Sequence, residues 1–232
     1  MIKLNNKNLA NYVEFKLDKL DNNFTEDELL KIEEVVIDFK VETDSIKNIL
    51  EDVLKLKNIM SLTIRNGYIS KEACKMLMNL KKLNDLTIEN CEVENHNLLA
   101  LLNLKSMSIL NCGINDYAFL RLFKGLERLE LVRENVNVNL INKLANLKYL
   151  QLSYSEITDI GDIVINNIEE IYLDNTNYNS FEFLNDMPNL KRVSIDNRQY
   201  ENNKELFKTL EAKNILVLNE NMVGFGGAKN EI

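Results

Sequence analysis

The sequence predicts an α/β solenoid, a stack of short coils that each give one strand to a parallel sheet and return by a short helical or irregular segment. Two observations carry this. One apolar phrase recurs at a nearly constant interval, and each copy is followed by a looser set of apolar residues. The phrase is clearest at Leu147–Ile157, L-K-Y-L-Q-L-S-Y-S-E-I, where Leu147, Leu150, Leu152 and Ile157 are the apolar pegs. Copies start at Ile32, Ile59, Leu83, Leu104, Leu126, Leu147, Ile168 and Leu190, with a degraded ninth near Lys213, and neighbouring starts lie 21–27 residues apart.

A period of about 20–29 residues with pegs in the order L-x-x-L-x-L is the signature of a leucine-rich repeat. The expected fold is therefore a leucine-rich repeat solenoid: a curved right-handed superhelix with a concave parallel β-sheet and short α or 3-10 helices on the convex side. Residues 1–31 are expected to form a helical N-terminal cap, 32–223 the repeats (eight clear, one degenerate) and 224–232 a Gly-rich tail, in which Phe225 could fold back over the last coil.

In the first segment Leu9, Val13, Leu17 and Leu20 recur near helical spacing, predicting an amphipathic helix over Lys7–Leu20 that Asp21-Asn22-Asn23 breaks. Thr25-Glu-Asp-Glu28 is a capping box for a short second helix running to about Lys31. Within each repeat the fourth and sixth slots alternate as in a strand, which sends Val35/Ile37, Leu62/Ile64, Leu86/Ile88, Met107/Ile109, Leu129/Leu131, Leu150/Leu152, Ile171/Leu173 and Val193/Ile195 inward. For the ninth repeat the inward pair is Ile215/Val217 or Leu216/Leu218. The returns carry Leu77/Leu80/Leu83, Leu98/Leu101/Leu104, Phe119/Leu122/Leu126, Leu140/Leu144/Leu147, Phe181/Leu184/Met187 and Leu206/Leu210, at steps that suit short α or 3-10 helices. The first two returns look the most helical. Thr158–Asn167, with Gly161 and β-branched Ile163, Val164 and Ile165, is expected to be extended or irregular.

The string N-K-N-L-A-N-Y-V-E-F-K-L…F-T-E-D-E-L-L-K-I-E-E-V-V-I resembles the helical cap that precedes the repeats in bacterial internalin-type leucine-rich repeat proteins, and the 21–22-residue copies resemble the same short-repeat class. That resemblance implies the solenoid fold and protein binding in general.

Bulk properties narrow the partner. The net charge is −8, from 28 Lys+Arg against 36 Asp+Glu, so nucleic acid and an anionic membrane surface are not expected. Three cysteines, Cys74, Cys91 and Cys112, are no disulfide framework and suit a reducing compartment. The N-terminus has no signal-peptide h-region and no run of apolar residues is long enough to span a bilayer. A cytoplasmic monomer is expected, with a cell-surface or secreted adhesin as the alternative if an N-terminal signal has been removed.

No catalytic, cofactor or metal site is expected: there is no phosphate-binding Gly loop, no H-E-x-x-H and no C-x-x-C, and the single histidine, His96, reads as a solvated turn residue. Cys91 and Cys112 share the ninth slot of consecutive repeats, where they are either buried reduced thiols or a redox pair within disulfide reach. Cys74 reads as core.

The outward strand slots carry the functional signal. Leu110 and Val132 are apolar neighbours in the slot after the third peg. Tyr149, Gln151, Tyr154 and Tyr172 follow on the next coils, flanked by Arg128 and Arg133. Tyr and Arg are enriched at the energetic centres of interfaces. Val36 and Phe39 form a lesser patch expected to pack under the cap. The function expected is a non-catalytic module that binds a partner protein on the concave face through these eight residues; the alternative is a single-target inhibitor or immunity-type regulator. An appended catalytic domain is not expected, since the repeats run to about residue 223.

Overall fold

The computed structural model describes residues 1–41, 44–159 and 161–219. They form two compact units, Met1–Ile114 and a second beginning at Asn115, each a stack of coils around its own apolar core. The tail at 224–232 and its Phe225 lie outside the described residues.

In the first unit the strands Glu34–Asp38, Ser61–Arg65, Asp85–Glu89 and Ser106–Leu110 pair in parallel and in register. Fourth-slot pegs stack on fourth-slot pegs (Val35, Leu62, Leu86, Met107) and sixth on sixth (Ile37, Ile64, Ile88, Ile109), and all eight are buried. A one-residue slip would expose the whole row, so burial itself fixes the register.

Ahead of the first strand, a helix spans Lys7–Leu17, capped by Asn6, whose side chain accepts from the Leu9 N–H. It stops three residues short of the expected Leu20. Asp18 adopts the left-handed conformation and closes the helix by donating its N–H to the Glu14 and Phe15 carbonyls. Leu20 is consequently 96% exposed instead of packed. The Thr25 capping box forms as read, with Glu28 reaching back, but its helix ends at Leu29. Val36 is 58% exposed rather than covered, whereas Phe39 lies against Gly67, where any Cβ would sit 2.3 Å from the ring. The junction between the first helix and the first return is polar. Asp52, fully buried on the Ile46–Val53 helix, accepts the Asn6 N–H at 2.6 Å and pairs with Lys55 at 2.6 Å.

The second unit stacks Arg128–Val132, Tyr149–Gln151, Glu170–Tyr172, Arg192–Ser194 and Leu216–Leu218, again parallel. In its last strand Val217 pairs with Val193 and is buried while Leu216 is exposed. Val217 is thus the fourth-slot peg and Asn219 occupies the sixth slot, so neither ninth-repeat pair read from the sequence is correct. A four-residue apolar run has no alternation to read, and only pairing with the previous coil chooses the phase.

Leu77/Leu80/Leu83 and Phe181/Leu184/Met187 are buried as expected, and other returns differ in the same way as the last strand. Leu101 and Leu122 are exposed, and Leu99 and Leu120 on the 3-10 helices His96–Leu101 and Ala118–Leu122, with Leu102 and Phe123 that cap them, are buried in their place. Val138 and Ile141, not Leu140, are the buried residues of the Val138–Ile141 helix. The longest of these helices is Lys204–Ala212, which buries Phe207 and Leu210, rather than either of the first two returns. The stretch after Thr158 is irregular beyond the Glu156–Asp159 strand, as its composition predicts.

After the sixth slot every coil must leave the sheet. The residue two places on has positive φ in six successive repeats: Asn66, Asn90, Asn111, Arg133, Tyr154 and Asn175. Asparagine tolerates this left-handed turn best among residues with a side chain. Asn66, Asn90 and Asn111 also bond along the stack, Asn66 Nδ2 to Asp38 at 2.8 Å, Asn90 Nδ2 to Asn66 at 3.2 Å and Asn111 Nδ2 to Asn90 at 2.7 Å. One slot further, short side chains reach back one coil to the carbonyl of its sixth-slot peg: Cys91 Sγ to Ile64, Cys112 Sγ to Ile88 and Ser155 Oγ to Leu131. All three cysteines are free thiols. Cys91 and Cys74 are buried, Cys112 only partly, and burial pushes the Cys74 thiol up to about 11.

Leu150→Ala is expected to lower stability by about 2–5 kcal/mol, because it leaves a cavity in the peg row. Gln151→Ala, which loses only a half-buried acceptor, is expected to lower it by no more than about 1 kcal/mol. Urea midpoints that fall equally in the two would place the register one residue away. Asp52→Ala strips the Asn6 N–H and Lys55 of their shared carboxylate and is expected to lower stability by about 2–4 kcal/mol; a midpoint unchanged from wild type would show that the junction contributes nothing.

Candidate functional site

Seven of the eight candidate residues lie on the solvent face of the second unit: Arg128, Val132, Arg133, Tyr149, Gln151, Tyr154 and Tyr172. Leu110 ends the last strand of the first unit and is half-buried. The parallel register sets like slots side by side, so Arg128 pairs with Tyr149 and Tyr149 with Glu170 along one row, and Gln151 with Tyr172 along the next.

These side chains are less free than the sequence implies. The Arg128 guanidinium stacks on Tyr149, 3.5 Å from its ring centroid, and also pairs with Glu130. Tyr149 and Tyr172 pack ring to ring at 5.1 Å. The Tyr149 hydroxyl donates to Gln151 Oε1 at 2.8 Å and the Tyr172 hydroxyl to Glu170 Oε2 at 2.9 Å. Arg192 Nη1 then donates to both Glu170 and the Tyr172 oxygen, at 3.0 and 3.2 Å. Burial pushes the Tyr149 phenol up to about 12, and burial likewise raises Tyr172. This row is a stacked and hydrogen-bonded network, in which the buried Arg192 Nε is left without a partner, and replacing Tyr149 or Tyr172 disturbs the protein itself. Arg128, Tyr149, Gln151 and Tyr172, read from the sequence as outward partner-binding residues, are therefore also tied to one another within the protein.

Tyr154 and Arg133 differ. Both are exposed, Tyr154 by 55%, and Arg133 stands 5.7 Å from the Tyr154 ring centroid. Both hold the left-handed turn, at φ 62° and 58°, where four of the other repeats use Asn. Beside Tyr154 a hollow of about 710 Å³ opens on the sheet face, walled by Val132, Tyr154, Tyr172 and Leu218, with Gln151 and Asp174 among its polar groups. Asp174 accepts the Ser153 and Ser194 hydroxyls at 2.9 and 3.1 Å.

Glu170, Asp174, Arg192 and Leu218 escaped the sequence reading. The signal for the first and third was present: Glu170 and Arg192 occupy the same slot of successive repeats, and a parallel stack makes such residues neighbours. His96 opens a 3-10 helix and is half-buried, not a freely solvated turn residue. Among the described residues no group of three or more His, Cys, Asp or Glu could hold a metal, and no helix is long and apolar enough to cross a membrane.

No protein-family model matches the chain, and no curated protein matches it. Solved structures do. Internalin C2 of Listeria monocytogenes is 20% identical and superposes with a TM-score of 0.63, covering 82% of this chain and 84% of that one. The fold is that of an internalin-like leucine-rich repeat protein. Internalin InlF of the same organism is 16% identical, at a TM-score of 0.47 over 92% of this chain and 89% of its own. A plant peptide hormone receptor, RGFR1, in complex with RGF2, is 11% identical at a TM-score of 0.45, over 83% of this chain and 33% of that one. Identities this low carry the internalin-like fold and no ligand.

Because folding raises the Tyr149 pKa from 10.0 to about 12, burial of the neutral phenol contributes stability that is complete below pH 10 and is lost as the pH rises towards 12. Wild type is therefore expected to lose more stability than Tyr149→Phe between pH 8 and pH 11, read as urea midpoints. Equal losses would show that Tyr149 is solvated.

Proposed function

We propose that the chain is a non-catalytic protein-binding module that holds a partner protein on the sheet face of its second unit, around Tyr154, Arg133, Val132 and Tyr172. One observation carries this reading. At a turn position built for Asn, two consecutive repeats instead hold a Tyr and an Arg in a backbone conformation that costs a side-chain-bearing residue about 1–2 kcal/mol. Strain of this kind persists where the side chain does something the turn does not need. Both side chains project into solvent, and Tyr and Arg are the residue types that anchor interfaces. The stacked row of Arg128, Tyr149 and Tyr172 gives them a rigid base, which limits the side-chain entropy lost on binding.

Arg133→Asn with Tyr154→Asn restores the residue used by the neighbouring repeats, so the thermal midpoint is expected to stay level or rise. The partner is captured by placing a photocrosslinking phenylalanine analogue at Tyr154, or at the exposed return residue Lys143 as a control, in the cell of origin. A discrete crosslinked protein is expected from position 154 alone, weakened at least tenfold when Arg133→Asn is added. Equal crosslinking from both positions would place the binding surface elsewhere.

A further inference from the structure

The hollow beside Tyr154 has a charge that no Lys or Arg among the described residues answers. The acidic residues around it are tied to cations: Glu130 pairs with Arg128, Glu170 with Arg192, and Asp196 lies 3.8 Å from Arg198. Asp174 is the exception. It receives two serine hydroxyls on Oδ1, and no Lys or Arg among the described residues pairs with it. Two aromatic rings, Tyr154 and Tyr172, and two aliphatic side chains, Val132 and Leu218, share the walls with this carboxylate. Arg133 stands over the Tyr154 ring but does not line the hollow.

We infer that the hollow is a pocket for a basic side chain, a lysine or arginine presented by the partner protein, whose head group pairs with Asp174 and whose aliphatic stem lies along Val132, Tyr154 and Leu218. This rests on the partner-binding reading above and gives that partner a chemistry. A carboxylate supplies the counter-charge, and aromatic faces attract a cation beyond what area burial gives. A long basic side chain is the common protein group with both an apolar stem and a cationic end. An acidic side chain would meet Asp174 as a like charge, and a purely apolar one would bury that carboxylate without a counter-charge.

The test uses the full chain, isotopically labelled, with butylguanidinium as the probe and n-butanol and butyrate as neutral and anionic controls. Backbone amide shifts at Ser153, Asp174, Ser194 and Leu218 are expected to saturate with butylguanidinium at a dissociation constant on the order of millimolar. Butanol and butyrate are expected to leave the same amides unmoved. Asp174→Asn keeps an oxygen for the two serine hydroxyls and removes the charge, so it is expected to weaken the probe about tenfold or more. Tyr154→Asn, a substitution the turn favours, is expected to weaken it several-fold and serves if Asp174→Asn fails to fold.

Butanol binding as tightly as the cation, or Asp174→Asn and Tyr154→Asn both binding it like wild type, would overturn the inference. So would self-association that Asp174→Asn abolishes, which assigns the hollow to a second copy. A response seen only in Lys229→Gln would assign it to the one basic residue downstream of Leu218 and equally overturn it. A failed probe with intact crosslinking from Tyr154 would remove the cation and leave the binding surface standing; a bound probe without crosslinking would do the reverse.

Discussion

In six successive repeats the coil leaves the sheet within two residues of its sixth-slot peg through one residue at positive φ. That turn fixes where the strand ends, and so where the next return begins. It also fixes which side chains remain on the solvent face. Asn66, Asn90, Asn111 and Asn175 meet the requirement with a side chain that tolerates the conformation. Three of them also join a run of side-chain hydrogen bonds from Asp38 to Asn111. The pegs beneath the turn are wholly apolar and buried, so the stack has no freedom to move the turn along the chain.

Against that background Arg133 and Tyr154 are departures with a cost, returned only by the contact of the Arg133 guanidinium with the Tyr154 ring at 5.7 Å. They lose the amide that bonds along the stack and accept a strained backbone. The neighbouring Tyr149 and Tyr172 are equally aromatic but are bound into a hydrogen-bonded and stacked row with Arg128, Glu170 and Arg192. Two kinds of tyrosine therefore sit on one face. One kind completes the surface of the sheet, and the other rises from a turn into solvent. The backbone separates them where composition does not.

The short residues one slot further show the same economy. Cys91, Cys112 and Ser155 each reach the carbonyl of a sixth-slot peg one coil back, a group that leaving the sheet would strand. A thiol and a hydroxyl do the same work because either is small enough to turn inward at that point. Their regularity gives Cys91 and Cys112 a structural role in that slot.

By itself the sequence determined the repeat, its period and the eight clear peg pairs, because burial on one side of a strand writes an alternation that a slip would destroy. It also determined the Thr25 cap and the candidate face of Tyr and Arg. Tertiary structure decided everything that depends on which neighbour a residue meets. The phase of the last strand was invisible in a run of four apolar residues and was set by Val193 pairing with Val217. On the 3-10 returns, three-residue steps fit Leu98/Leu101 as well as Leu99/Leu102, and docking against the core chose the latter. The left-handed backbone of Arg133 and Tyr154, and the carboxylate of Asp174 that no Lys or Arg among the described residues pairs with, arise only when coils lie on one another. The physical reason is common to all of these: periodicity records what one coil buries, and nothing in a single coil records what the next places against it.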